Sequence, residues 1–279
     1  MADLRDHVKG KENDYYVSVQ DYIGQGYELP GGKKNDKIAE KHKREIDIAV
    51  KKFFLEKYKT KVKVHNIVGN KDGATVFVES IGEPHFHSFA IVPIDAHKDK
   101  ILGDRVWSQE GQVEDGIKGG VFAMIFDREF GKLNSYLETV TKKYPIIGSR
   151  KEALNNVGTS SYLTPYYFIS VFDDSFNKLL DDYLIHPNLS KEEWKKLFHR
   201  DDYPPKGVVI SINLYMARPG VQPDKKIFNK IVSDIEAMKD IPRGSYSIRL
   251  NDNRVNKKSG IGEKDNTLER SYPNDIIKQ

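Results

Sequence analysis

Between Asp36 and Lys59 a single stripe of residues recurs at steps of three and four: Ala39, His42, Ile46, Ala49, Val50, Phe53, Phe54 and Tyr58. The opposite face is rich in Lys and Glu. This spacing predicts one amphipathic helix, capped by Asn35, that must lie on another element to bury its stripe. The period then changes from 3.6 to 2. Val62, Val64 and Val68 alternate with polar residues, Asn70–Gly73 has hairpin-turn composition, and Thr75–Ile81 is β-branched and aromatic. Phe86–Ile94 reads as a third strand, with Pro93 suiting a sheet edge or a strand end. A long helix followed directly by an antiparallel meander constrains the chain to an α+β layer, in which the sheet curls round the helix.

That order resembles cystatin-like folds, an architectural likeness that implies no activity. Further along, a short strand is expected near Arg105–Ser108, then helices over Gln112–Phe126 and Glu129–Lys143, the first weakened at its middle by Gly119 and Gly120. The second half changes rhythm. Pro165–Phe172 reads as a strand, and Asp174 or Ser175 is expected to cap a helix carrying Phe176, Leu179, Leu180, Tyr183 and Leu184. Ser190 and Glu193 form a capping box before Trp194 and Leu197. Val208, Ile210, Ile212, Leu214 and Met216 share one strand face, Lys225–Met238 is a helix, and Ser245–Leu250 is a strand. The expected organisation is an extended, Gly- and Tyr-rich arm (1–34, disordered before about residue 14), a helix-plus-sheet unit (35–145), a second α+β unit (146–251) packed closely against it, and a polar tail (252–279) that is loose apart from any contact made by Tyr272 or Ile276-Ile277.

Composition narrows function mainly by exclusion. The 279 residues include no cysteine, which removes disulfides, zinc fingers, iron–sulfur clusters and thiol nucleophiles. The net charge of +4, from 45 basic and 41 acidic residues, is too dilute to argue for nucleic acid as a partner. The longest apolar runs, Phe89–Ile94 and Val121–Phe126, fall far short of the roughly 18 residues of a membrane helix. The opening Met1–Gly10 lacks a basic tip followed by an apolar stretch, so no signal peptide is expected in the chain as given. Gly-x-Ser-x-Gly, phosphate-loop and His-Glu-x-x-His patterns are absent, and no cofactor is implied.

The sharpest local feature is His85-Phe86-His87. Strand residues two apart share a face, so the two imidazoles stand side by side, as metal ligands do. His65, His97, Glu79 and Glu83 are close enough in sequence to supply a third ligand. The competing reading is two half-exposed histidines at a strand end beside Pro84. Tyr162, Tyr166 and Tyr167 are candidates for a binding surface, against the alternative that they line half-buried strand faces. Arg254, Lys257 and Lys258 give the C-terminal region a local basic excess that an anionic envelope would attract, diluted by interleaved acids.

Four stretches carry a wider resemblance: Gln20–Gly32, Lys63–Gly69, Gly82-Glu-Pro-His-Phe-His-Ser-Phe-Ala-Ile-Val-Pro-Ile-Asp95 and Val106–Val113. Together they resemble a family of uncharacterised lipoproteins of Gram-positive bacteria, a domain of unknown function, over about Tyr16 to Asn251. The resemblance implies an export signal ending in a lipid-bearing cysteine, neither of which this chain contains. It implies an extracytoplasmic protein touching membrane only through that anchor, and it brings no catalytic residue. The expectation is therefore a non-enzymatic envelope protein that acts by binding an envelope polymer or another envelope protein. The alternative is a metal-binding protein or enzyme centred on His85 and His87, and a weaker third reading is an intracellular accessory protein or toxin-type module.

Overall fold

A computed structural model of the chain describes residues 15–279, so the expected disorder before about residue 14 lies outside them. The fold is α+β, as the change of period predicts. In the arm, β1 (Tyr16–Ser18) runs into a turn-rich stretch that reaches Gly32. The long amphipathic stretch forms two helices, α1 (Lys33–Lys41) and α2 (Lys43–Tyr58), broken at His42. His42 departs from helical dihedrals (φ −104°, ψ 18°), and its ring lies between Glu45 Oε1 and the carbonyl of Asp99, each at 3.0 Å. Asn35 is not the cap. It lies within α1, buried, and its amide donates to the carbonyl of Asn70.

The meander follows as β2 (Val62–Gly69), β3 (Gly73–Ser80), β4 (His87–Asp95) and β5 (Lys100–Ile101), antiparallel throughout. Asn70 closes its hairpin, its Oδ1 accepting from the amides of Asp72 and Gly73. The expected strand near Arg105–Ser108 shrinks to one bridge, Trp107 with Ile91, after a 3-10 turn at Gly103–Arg105. Ile46, Val50, Phe54 and Tyr58 of α2 and Ala74, Val76, Val78, Ala90 and Val92 of the sheet belong to one buried cluster. Burial on this scale stabilises by roughly 1.5–3 kcal/mol for each large side chain.

Helix α3 (Gln112–Ile125) is covered on all sides from Gly116 onward, because it lies between the meander and a second sheet. Phe126 turns the chain into α4 (Asp127–Lys143). Then come β6 (Ile146–Ile147), α5 (Lys151–Val157), β7 (Tyr162–Leu163), β8 (Tyr167–Val171), α6 (Asn177–Ile185), α7 (Lys191–Leu197), β9 (Val208–Met216), α8 (Lys225–Ala237) and β10 (Gly244–Asn251). The cap before α6 is Asp173, which accepts from the amide of Ser175, rather than Asp174 or Ser175. The capping box of Ser190 and Glu193 forms in full. In the second sheet the order is β12 (Leu268–Arg270), β10, β9, β8, β7, with β9 and β10 parallel across α8 and the remaining pairs antiparallel.

The tail is not loose. β11 (Arg254–Asn256) pairs with β1, while β12 (Leu268–Arg270) and β13 (Ile276–Lys278) pair with β10. It is held by a buried charge as well: Lys264 Nζ reaches Asp252 Oδ1 at 2.7 Å and two carbonyls besides. Burial opposes the Asp252 charge, but Lys264 and the amide of Arg254 outweigh it and hold the carboxyl below its usual range. The arm thus lies on the body as expected, and it lies on the tail.

Candidate functional site

β3 and β4 pair Thr75 with Ile91, Phe77 with Phe89 and Glu79 with His87. Alternate residues point to opposite faces, so Ala74, Val76 and Val78 turn inward toward α2 while these three pairs form successive rungs on the outer face. Two features occupy that face, a histidine–carboxylate cluster at the Glu79–His87 rung and a cavity over the other two.

The cluster is assembled by the β3–β4 pairing, by one irregularity in β2 and by the loop before β4, which carries His85. β2 bulges between Val64 and Asn66, leaving His65 without an opposite number. Bulges re-aim side chains, and here His65 Nε2 lies 2.8 Å from Glu79 Oε2. Helix α5 covers the rung. Asn155 Oδ1 is 2.8 Å from His87 Nε2, and Lys151 Nζ is 3.9 Å from Glu79 Oε1. His87 is 3% exposed and bridges Ser161 through its backbone, which ties the first sheet to the start of β7. His85 is more open, with its ring perpendicular to that of His87 at 5.3 Å and to that of Tyr162 at 6.0 Å. One ligand atom each from Glu79, His85 and His87 lies within 4.8 Å of the others.

Burial opposes the charge of Glu79, but the His65 hydrogen bond, His87, His85 and Lys151 outweigh it and keep the carboxyl below its usual range. Burial pushes the His87 imidazole down to about 4, against the pull of Asn155. His87 is therefore neutral near pH 7. With Nε2–H given to Asn155, its lone pair sits on Nδ1, a buried atom with no hydrogen-bond partner among the described residues.

The cavity, of about 450 Å³, is floored by Thr75, Phe77, Phe89 and Ile91. Tyr27, Leu29 and Pro30 of the arm, Trp107 and Gln109, and the end of α5 at Val157–Thr159 wall it, with Asn70, Lys71 and Asp72 at the rim. Tyr27 meets Phe77 edge to face at 5.7 Å.

Residues 9–278 match a family described as proteins of unknown function, DUF1672. The chain belongs to the DUF1672 family. A crystal structure of a DUF1672 family protein from Staphylococcus aureus is similar over 95% of this chain and 98% of that one, with a TM-score of 0.77 at 19% identity. That likeness shows a shared fold. Among curated proteins, none matches the chain.

In this DUF1672 member the structure unites His85 and His87 with Glu79 and His65, two of the four residues offered as third ligands. Glu83 instead accepts from the amide of His85 and faces Lys191, and His97 is exposed beyond the far end of β4. The three candidate tyrosines do not form a surface. Tyr167 is 1% exposed and stacks on Phe130, Tyr162 packs between His85 and Phe130, and Tyr166 is half-buried against the core. The basic candidates serve the arm–tail contact. Arg254 lies over the Tyr16 ring and near Asp252, Lys258 pairs with Glu28 at 3.1 Å, and the Lys257 amide donates to the Tyr15 carbonyl. Trp107, Phe77, Phe89 and Asn155 were not singled out from sequence. The apolar run Val76-Phe77-Val78 within β3 was the available signal, since a strand covered on only one face alternates.

Proposed function

We propose that this protein is an extracytoplasmic binding protein of the cell envelope, lipid-anchored in its native form, that holds a small ligand in the cavity between the first sheet and the arm. The cavity carries this reading. Its volume falls in the range of small-molecule sites, and its aromatic walls with a few polar groups at the rim are what such sites use. Flat aromatic faces beside Asn, Gln, Asp and Lys suit a ligand with both apolar faces and hydroxyl groups, the character of a saccharide unit from an envelope polymer. Membership of DUF1672 is compatible with that role, and the lipoprotein character is supported by the resemblance of Gln20–Gly32 and Gly82–Asp95.

Trp107 is 42% exposed at the cavity wall, so it reports on occupancy. Titrating envelope-derived saccharide fragments is expected to change its fluorescence, and Trp107→Ala is expected to weaken binding about tenfold, the equivalent of about 1.4 kcal/mol. Binding of equal strength in Trp107→Ala, or no fragment that perturbs Trp107, refutes the cavity reading. Expressing the full reading frame in a Gram-positive host tests the location, where a cytosolic product without lipid overturns it.

A further inference from the structure

We propose that Glu79, His85 and His87 form a binding site for a divalent transition-metal ion of the zinc class. The site lies one rung beyond the cavity floor and is independent of the ligand reading above.

The donor set decides the class of ion. Two imidazoles and one carboxylate suit zinc and its neighbours cobalt, nickel and copper, whereas magnesium and calcium take oxygen ligands. The three ligand atoms already lie within 4.8 Å of one another, with His85 Nε2 3.8 Å from Glu79 Oε1. Three protein ligands leave a position for water, and His85, its side chain 32% exposed, is the most open of the three.

The surrounding residues do what metal sites require of their supports. Asn155 accepts from Nε2–H of His87 and so fixes the tautomer with a lone pair on Nδ1. His65 holds one oxygen of Glu79, leaving the other, Oε1, on the side of His85. Lys151 lies 3.9 Å from that same oxygen, but its side chain is 70% exposed and can swing away when a cation arrives. Buried polar atoms are usually paired, so an unpaired imidazole nitrogen facing other ligand-type side chains adds to the geometric case. His87 Nδ1 is buried and unpaired among the described residues.

The test uses the full chain, stripped with chelator and titrated calorimetrically with zinc chloride alone. One equivalent is expected to bind, with a Kd that excess magnesium or calcium does not shift. His85→Ala and Glu79→Gln are each expected to weaken it roughly 100-fold, and Asn155→Leu about tenfold. Because His87→Ala leaves a buried void and can misfold, His87 is read instead by its imidazole nitrogen resonances in the unaltered chain, with Nδ1 shifting on zinc addition. Absence of stoichiometric binding, indifference of the Kd to both His85→Ala and Glu79→Gln, displacement by calcium, or an unmoved Nδ1 resonance each overturns the proposal. None of these readouts depends on the saccharide ligand, so failure here leaves the cavity reading standing.

Discussion

At the scale of single residues, the chemistry of this molecule turns on how burial treats a few polar side chains. His87 is the clearest case. Its ordinary value of 6.5 is lowered to about 4, first by burial and then by the neighbouring His85 and His65, while Asn155 and Glu79 pull the other way. Below pH 6.5 the unfolded chain takes up a proton that the folded, metal-free chain refuses. The contribution of His87 to stability is thus complete above pH 6.5, falls as the pH drops and is lost by about pH 4. It amounts to roughly 3 kcal/mol across that window. Nuclear magnetic resonance titration of the chelated protein should find the His87 ring near 4, with denaturation midpoints falling between pH 7 and 4. A ring titrating near 6.5 would show that the cluster is solvated rather than buried. The closeness of His85 and His87 was legible from their spacing of two, although β4 begins at His87 and His85 stands in the loop before it. The choice of Glu79 over Glu83 was not, since it depends on the β3–β4 register and on a bulge that frees His65.

At the scale of elements, periodicity located the helices and strands but misjudged what interrupts them. Asp36–Lys59 reads as one helix because its stripe continues through His42. The structure bends there, His42 taking φ −104° and ψ 18° while its backbone keeps the bonds to Ile38 and from Ile46 and its ring meets Glu45 and Asp99. Gly119 and Gly120 look like simple weak points in α3, each worth about 1 kcal/mol against Ala. Gly120 is instead a close approach. A Cβ there would stand 2.7 Å from the His85 carbonyl oxygen and 3.0 Å from Pro84 Cβ. Gly120→Ala should therefore destabilise by roughly 1–2 kcal/mol, overpacking outweighing the gain in helix propensity. Gly131 in α4 is exposed and has nothing within 4 Å of its would-be Cβ, so Gly131→Ala should stabilise by up to about 1 kcal/mol. Denaturant midpoints of the two variants make the comparison. Equal and positive shifts would mean that α3 does not press on the strand carrying the histidines.

At the scale of the whole molecule, α3 joins what the sequence divides. One buried cluster holds α2 and the first sheet together with α3, α4 and the second sheet, although they fall on both sides of residue 146. The chain is therefore expected to unfold in one cooperative step, with far-ultraviolet circular dichroism and tryptophan fluorescence reporting the same midpoint. Trp107 at the cavity and the buried Trp194 on α7 sample different parts of the molecule, and two separate transitions would contradict a shared core. The sequence by itself determined the α+β class, the helix-then-meander order, most element positions and the His85–His87 pair. These depend on local periodicity, caps and turns that act over a few residues. Only the tertiary structure decided the strands of the tail, the burial of the tyrosines, the arm's place on β11, the cavity and the third member of the cluster. β12 and β13 are three residues each and lack a pattern of their own. They form because β10 offers backbone partners, and such pairing is set by which segments meet in space rather than by any residue's own preference.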